Sequence, residues 1–260
     1  MRDQRTLHRS VTVGEFPDDL AGIATAWDRL AGHLAARSTD LLVLPEMPAY
    51  PGFWTAAAFD TAVWRLALQA HEAMLTRLPG LRAGAVVATR PVERDGRRLN
   101  EAFVWTRAAG YRAVRQKRYL PDEPGAYERT WYEPGEGDFP AVDVDGATVG
   151  VLICTEIMFN RHARDLGRTG AHLVAVPRAT GNHERWPVAA RMTAIASGAF
   201  VASANRRGSD EALFGGAGWI IGPDGEVLAA TTRAEPFRTL DLDLAAAERA
   251  KGTYPRSVPG

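Results

Sequence analysis

VGVLICTEIMFN, residues 149–160, joins an apolar run to Cys154, the only cysteine in a chain of 260 residues. The run Thr148–Cys154 has the composition of a strand buried on both faces, and a carboxylate, Glu156, follows two residues later. Cysteine is among the residues most often buried in cores, so this stretch alone favours an inert thiol. At the end of a central strand, however, a thiol can face a cleft, where a nearby ammonium would lower its pKa and make it a nucleophile.

The same alternation of strands and helices extends along the chain. Asp-Gly in DVDGATV and Pro-Asp-Gly in IIGPDGEV predict hairpins, and Asp18 or Asp19 is expected to cap the first helix. The unbroken pattern predicts one α/β domain over residues 1–260, with helices covering its sheets. Besides Thr148–Cys154, the predicted strands are Ser10–Phe16, Asp40–Leu44, Ala83–Thr89, Ala102–Arg107, Val114–Lys117, Val142–Val144, His172–Val176, Ala199–Ala204, Gly218–Ile221, Val227–Thr231 and Arg238–Leu242, and the predicted helices are Asp19–Arg37, Thr55–Leu78, Arg161–Arg168, Trp186–Ser197 and Leu244–Lys251.

Charge and composition exclude several classes of function. The formal net charge is zero, which argues against binding to nucleic acid. No apolar run approaches the roughly 18 residues of a membrane span, and the N-terminus has no apolar signal-peptide core. One cysteine cannot form an internal disulfide, and the histidines lack metal-site spacing. We therefore expect a cytoplasmic protein with no metal.

Two further residues could carry chemistry with Cys154. Glu46 follows the apolar run ending at Leu44, at a strand end where active sites of α/β folds often lie. Aromatic neighbours would desolvate it and raise its pKa towards that of a general base; the alternative is a solvated loop carboxylate. Lys117 ends the strand YRAVRQK and is one of two lysines against 29 arginines, so its position is a candidate for a compact ammonium, although a surface lysine remains the alternative.

These segments together resemble the nitrilase superfamily of carbon–nitrogen hydrolases. The resemblance covers about Val11 to Leu244 and leaves a short tail at 245–260. Each motif is weak alone, but their order and spacing are specific. The segments are LLVLPEMPAYPG at 41–52, VRQKRYLP at 114–121, YERTWYEPG at 127–135, GVLICTEIMFNRHARDLGRTGAHLVAVPRATG at 150–181 and GGAGWIIGPDGEVLAATT at 215–232.

The resemblance implies a Glu-Lys-Cys triad and a four-layer α-β-β-α sandwich. By match to the motifs, Glu46 is the general base, Lys117 the catalytic lysine and Cys154 the nucleophile. Glu128 matches a second glutamate better than Glu123 does, and the backbone N–H of Thr155 would help to hold the oxyanion. Homodimers or higher homo-oligomers are implied, and no organic cofactor or metal.

The substrate is less well defined by the sequence. The leading hypothesis is an amidase for a small neutral or partly apolar amide; a nitrilase and an N-carbamoyl hydrolase are the alternatives. Carbamoyl-amino-acid hydrolases carry arginines just after the nucleophile, where this chain has Ile157, Met158 and Phe159. Candidate pocket residues are Tyr50, Phe53, Trp54, Met158, Arg178, Asn182 and Trp186, with Arg178 expected to meet a polar end of the substrate. A non-catalytic scaffold or a redox role for Cys154 would be the alternatives outside hydrolysis.

Overall fold

The computed structural model describes residues 8–258. Its strands are β1 His8–Pro17, β2 Thr39–Val43, β3 Ala83–Arg94, β4 Arg97–Thr106, β5 Gly110–Gln116, β6 Asp122–Glu123, β7 Ala126–Tyr127, β8 Ala141–Val144, β9 Ala147–Val151, β10 Leu173–Pro177, β11 Phe200–Arg207, β12 Trp219–Ile221, β13 Val227–Ala230 and β14 Phe237–Asp243. Its α-helices are α1 Leu20–Ala36, α2 Thr61–Arg77, α3 Glu128–Trp131, α4 Asn160–Arg168, α5 Arg185–Ser197 and α6 Ala245–Lys251, and short 3₁₀ turns cover Phe53–Thr55, Leu78–Gly80 and Cys154–Met158.

Twelve of these strands form two half-sheets of six. One has the order β5-β4-β3-β2-β1-β14, and the other has the order β8-β9-β10-β11-β12-β13. They join along one edge, where Glu15–Pro17 of β1 pairs in parallel with residues 205–207 of β11. Strands β1, β2 and β3 run parallel, as do β9, β10 and β11, so each half-sheet presents several carboxyl ends on one side.

The two half-sheets pack face to face around an apolar core. Val13 and Val43 of one half-sheet and Val151 and Ala175 of the other belong to this central cluster. Helices α1 and α2 cover the outer face of the first half-sheet, and α4 and α5 cover that of the second. The predicted four-layer α-β-β-α sandwich is therefore confirmed.

Side-chain caps decide where the two long helices begin. Asp19 accepts a hydrogen bond from Gly22 N at 2.7 Å and caps α1, as predicted. The prediction that the next helix starts at Thr55 is wrong by six residues, because Asp60 accepts from the N–H groups of Ala62 and Val63 and caps α2 there. Phe53–Thr55 form a separate 3₁₀ turn, and residues 56–60 connect it to α2.

Both predicted hairpins are present. Val144 pairs with Ala147 across a two-residue turn in which Asp145 and Gly146 have φ values of 49° and 85°. Both values lie in the left-handed region that a type I′ turn requires, which explains the Asp-Gly pair. The second hairpin links β12 to β13 through Gly225, whose φ is 88°.

The residues after α6 lie against their own chain. Arg256 donates to Ile195 O at 3.1 Å and to Asp224 at 2.9 Å, and Ala247 of α6 reaches the core between the half-sheets. The boundary between a core ending near 244 and a tail stays a prediction. No helix among the described residues is long and apolar enough to cross a membrane.

The contact between α4 and α5 depends on Gly167. A Cβ atom there would lie 2.4 Å from Ser197 O and 2.8 Å from Ser197 Cα, which are backbone atoms that cannot rotate away. Gly167→Ala should therefore lower the free energy of unfolding by about 1–3 kcal/mol, measured by urea denaturation. Gly32→Ala is the matched control: it lies in α1 with open space around it and should raise stability by about 0.5–1 kcal/mol. Equal effects of the two substitutions would contradict this account of the packing.

Candidate active site

Three strand ends bring the predicted reactive residues to one side of the sandwich. Glu46 lies three residues beyond β2 and Lys117 directly follows β5, both in the first half-sheet. Cys154 lies three residues beyond β9 in the second half-sheet. Because the half-sheets face each other, side chains from both meet where the strands end.

The ammonium of Lys117 holds two carboxylates. Its Nζ donates to Glu46 Oε1 at 2.8 Å and to Glu128 Oε1 at 2.6 Å, and all three side chains are buried. Burial alone would lower the pKa of Lys117, but Glu128 and Glu46 outweigh burial and raise it. Lys117 is therefore a fixed cation at neutral pH and serves as an electrostatic group.

Glu128 is placed to hold a proton. It starts α3 in the loop after β5, as the motif match implied, whereas Glu123 is exposed in β6. Burial raises the pKa of Glu128 to about 8, against the opposing effect of Lys117 and with support from Glu46. Two carboxylates beside one ammonium leave an excess negative charge, and a proton on Glu128 neutralises it.

Residues far apart in the chain fix Glu46. Asn100 of β4 donates from Nδ2 to Glu46 Oε1 at 2.7 Å. Arg206 of β11, fully buried, donates to the carbonyl of Glu46 at 2.9 Å and also to those of Met47 and Tyr50. Sequence reasoning missed both residues.

Cys154 lies in a strained turn just beyond the end of β9 and is not itself part of the strand. Strand β9 ends at Val151, so the predicted strand to Cys154 is too long by three residues. Cys154 opens the 3₁₀ turn with a φ of 51°, a left-handed value that costs about 1–3 kcal/mol in a non-glycine residue. Such strain is typical of nucleophiles held on sharp strand-to-helix turns.

The resting sulfur is a thiol. Burial raises the pKa of Cys154, Glu46 raises it further, and Lys117 lowers it without offsetting the other two. The ammonium acts in the expected direction, but the expectation that this thiol has a lowered pKa is wrong for the resting state. A cysteine attacks as the thiolate, so this thiol could act as a nucleophile only after a base took its proton.

A cleft of about 420 Å³ opens over the sulfur. Cys154, Thr155 and Glu128 line it, and Thr155 lies in the first turn of the 3₁₀ helix, where backbone N–H groups lack partners within the helix. Of the predicted pocket residues, the cleft is lined by Trp54, Met158, Asn182 and Trp186. Exposed charged groups also line it, namely Glu123 and Arg185, with His183 beside them.

Arg178 and Tyr50 are not among the residues that line the cleft. The guanidinium of Arg178 is buried and donates to Ser203 Oγ at 2.6 Å, to Thr180 Oγ1 at 2.7 Å and to Ala217 O at 2.6 Å. Burial lowers its pKa to about 9. A guanidinium committed to these acceptors holds the segment beside Cys154, and this placement argues against direct contact with a substrate.

No cluster of three or more His, Cys, Asp or Glu side chains within residues 8–258 is arranged to hold a metal ion. The arrangement that is present combines a thiol, a carboxylate beside a fixed ammonium, and a second carboxyl group. Those groups suffice for nucleophilic attack with general-base assistance and stabilisation of an oxyanion.

Sequence comparisons find one family and several relatives. The family model for carbon-nitrogen hydrolases matches residues 10–251. A "hydrolase in pqqF 5'region" from Pseudomonas protegens is 33% identical over 92% of this chain and 84% of its own length. A nitrilase from Pyrococcus abyssi is 27% identical over 84% of this chain and 82% of its own. Several other relatives, among them a citrullinase from Francisella tularensis, are matched over about half of their length, 54% for the citrullinase.

Solved structures show the same fold. A carbon-nitrogen hydrolase from Helicobacter pylori superposes with a TM-score of 0.83 at 22% identity, covering 95% of this chain and 94% of the other. An amidase from Nesterenkonia sp. has a TM-score of 0.76 at 23% identity, covering 94% of each chain. At this level of identity the likeness establishes the architecture.

The raised pKa of Glu128 makes a prediction about stability. The unfolded carboxyl loses its proton near its ordinary pKa of 4.5, whereas the folded one keeps it to about pH 8. The stabilising contribution of this proton is therefore present in full at low pH and is lost as pH rises from about 5 to 8. Wild type should lose stability relative to Glu128→Gln by roughly 1 kcal/mol per pH unit in that window, measured by urea unfolding at several pH values. Parallel pH curves for the two proteins would rule out a proton on Glu128.

Proposed function

We propose that this chain, which belongs to the carbon–nitrogen hydrolase family, is an amidase that releases ammonia or an amine from a small neutral or partly apolar amide through a thioester. The observation that carries the proposal is the buried Lys117 ammonium bonded to Glu46 and Glu128 at the edge of the cleft that holds Cys154.

Acylation begins with proton transfer from the thiol. Glu46 takes the Cys154 proton as the sulfur attacks the amide carbonyl carbon, and a tetrahedral intermediate forms. Lys117 Nζ and the backbone N–H of Thr155 stabilise its oxyanion, because the ammonium supplies positive charge and the N–H supplies a fixed hydrogen-bond donor where negative charge develops. Glu46 then passes the proton to the leaving nitrogen, the carbon–nitrogen bond breaks, and a thioester remains.

Deacylation reverses these roles with water. Glu46 takes a proton from water, the hydroxide adds to the thioester carbonyl, and the sulfur leaves as the thiolate and regains the proton. The acid is released and the thiol is restored. Glu128 supports both halves by holding Lys117, in the way that a third group orients the base in other triads.

The uncharged part of the cleft wall favours a neutral substrate. Trp54, Met158, Ala179 and Thr155 line the same cleft as Cys154 and bring no charge. Of the three residues that replace the arginines of carbamoyl-amino-acid hydrolases, Met158 faces the cleft and Ile157 is buried against α5. Charged side chains lie at the exposed rim, where the far end of a substrate would reach water.

A nitrilase is the second candidate. The nitrilase of Pyrococcus abyssi matches most of this chain, and thiol attack on a nitrile carbon needs the same three groups. The same groups would serve both reactions, so product analysis on matched amides and nitriles decides between them. The homo-oligomeric state and the cytoplasmic location stay predictions.

The proposal is tested by ammonia release across paired amides, nitriles and carbamoyl compounds. Wild type should release ammonia from at least one neutral amide faster than from the matching nitrile. Cys154→Ala and Glu46→Gln should each lose at least about 1,000-fold in kcat, because they remove the nucleophile and the base. Mass spectrometry should show an acyl adduct on Cys154 of wild type.

The Lys117→Ala variant still contains Cys154, but we expect it to form no acyl adduct, because the oxyanion is no longer stabilised by the ammonium. Lys251→Ala is the matched control, because Lys251 is the other lysine of the chain and donates to Ala247 O in α6, away from the cleft. A native Cys154 that no acylating substrate or iodoacetamide modifies would reject the proposal. Faster turnover of every nitrile would select the nitrilase instead.

Trp186 should set the preference for an apolar acyl group. It lines the cleft from α5 and is half-buried. Trp186→Ala removes apolar contact area that a larger substrate would cover, so kcat/KM for phenylacetamide should fall about 10- to 100-fold. Acetamide, too short to reach the ring, is the internal control and should change by less than about three-fold. Equal losses for both amides would mean that Trp186 supports the fold and does not select the substrate.

A further inference from the structure

Glu156, two residues after the nucleophile, is buried and fully occupied by donors. Its Oε2 accepts from Arg115 at 2.5 Å and from Ile153 N at 2.8 Å. Its Oε1 accepts from Arg115 at 2.9 Å and from Arg118 N at 2.8 Å. None of the bonds that this carboxylate makes goes to the sulfur, so its role is different from that of the base.

These four bonds link the two sides of the reaction centre. The peptide N–H of Arg118 directly follows Lys117, and the peptide N–H of Ile153 directly precedes Cys154. One carboxylate thus fixes the backbone beside the catalytic ammonium and the backbone beside the nucleophile, although these belong to opposite half-sheets.

Arg115 and Lys117 are two residues apart, as are Cys154 and Glu156. Arg115 lies in β5, and Lys117 directly follows the strand. Because side chains alternate along extended backbone, the two cations are expected on the same side. The N–H of Lys117 continues the ladder by donating to Asn100 O at 2.7 Å. The Arg115–Glu156 ion pair therefore connects the two half-sheets next to the place where Lys117 and Cys154 face each other across them.

Packing holds the arginine in this position. Its guanidinium carbon lies 3.9 Å from the centre of the Phe139 ring, and the side chain is 4% exposed against 0% for Glu156. A bidentate guanidinium–carboxylate pair has a fixed planar geometry, which suits it to setting a distance.

We propose that Glu156 is a positioning residue that sets the separation of Lys117 Nζ and Cys154 Sγ by tying the backbone on either side of the site to Arg115. The inference rests on the proposed function, since it assigns the separation a role in the hydrolysis carried out by the same site.

Glu156→Gln is the direct test. The glutamine amide has one oxygen that accepts and one nitrogen that donates, whereas every partner of Glu156 is a donor. The hydrogen bonds to one of the two carboxylate oxygens must therefore be lost. The value of kcat should fall about 10- to 100-fold with KM within about three-fold, as expected when reacting groups are misplaced. The kcat/KM profile should move to higher pH in the region near pH 8, because Glu128 loses part of the field of the ammonium.

Glu101→Gln is the matched control. Glu101 is a fully buried glutamate of β4 that is ion-paired with Arg94 at 2.5 Å, and it pairs in register with Gln116 of β5. Its partners Arg90 and Tyr111 lie away from the cleft-lining residues. This variant should lose a comparable amount of thermal stability. Its kcat should stay within about three-fold of the wild-type value, and its kcat/KM profile should not move with respect to pH.

A second readout needs no substrate. The rate of Cys154 alkylation by iodoacetamide at pH 7 should fall about 10-fold in Glu156→Gln and stay at the wild-type value in Glu101→Gln. If wild type alkylates but hydrolyses no amide, nitrile or carbamoyl compound, the proposed function fails, and the alkylation rates alone decide the role of Glu156. If Glu156→Gln matches Glu101→Gln in alkylation rate, kcat and pH profile, Glu156 is a structural ion-pair partner and the inference is overturned.

Arg115→Lys covers the case in which Glu156→Gln does not fold. Lysine keeps the charge but cannot reach both oxygens in the planar geometry of the guanidinium. The same readouts should fall about three- to ten-fold. A folded Arg115→Lys protein with wild-type alkylation and kcat would overturn the inference.

Discussion

The buried ammonium of Lys117 is the constraint on which the site depends. An ion removed from water costs several kcal/mol unless partners replace its hydration, and here two carboxylates do so at 2.8 and 2.6 Å. Two acids against one base would leave a buried negative charge, which a proton on Glu128 removes. Glu46 also accepts a hydrogen bond from the Asn100 amide, so a second donor holds it in place beside the ammonium.

This cluster can exist only because the fold is a sandwich of two sheets. Glu46 and Lys117 come from one half-sheet and Cys154 from the other, so no single strand or loop contains the reaction centre. The pairing of β1 with β11 joins the half-sheets at the edge next to the site, and Arg206 at that edge holds the carbonyl of Glu46. Met47 and Cys154 both have left-handed φ values. Such backbone strain persists only where the surrounding structure fixes the backbone, as the two packed half-sheets do here.

Local signals in the sequence predict the layers of the sandwich, but they do not predict which distant residues contact each other in the site. Apolar runs, Asp-Gly turns and the Asp19 cap are short-range features, and they predicted strands, hairpins and the start of α1. The start of α2 was wrong because Asp60, and not the aromatic stretch before it, supplies the cap. Glu46, Lys117 and Cys154 could be found because strand ends and motif spacing mark them. Asn100 and Arg206 could not, because each acts on a residue 54 or 160 positions away. Arg178 was assigned to the substrate from its position at a strand end, but its acceptors lie on β11 and the segment near Ala217.

The scarcity of lysine now has a physical explanation at one of its two positions. A guanidinium presents five donors in a planar fork, whereas the pocket around Lys117 offers two carboxylate oxygens and must leave room for an oxyanion. Arginine there would bring donors without acceptors into a fully buried space, at a cost comparable to that of any orphaned polar group. At position 115 the requirement is the opposite, because both oxygens of Glu156 accept from the cation and a planar guanidinium can donate to both at once. The chain places an arginine at 115, near the end of β5, and a lysine at 117, directly after it. Under the proposed function the arginine holds the site together through Glu156, whereas the lysine stabilises the oxyanion.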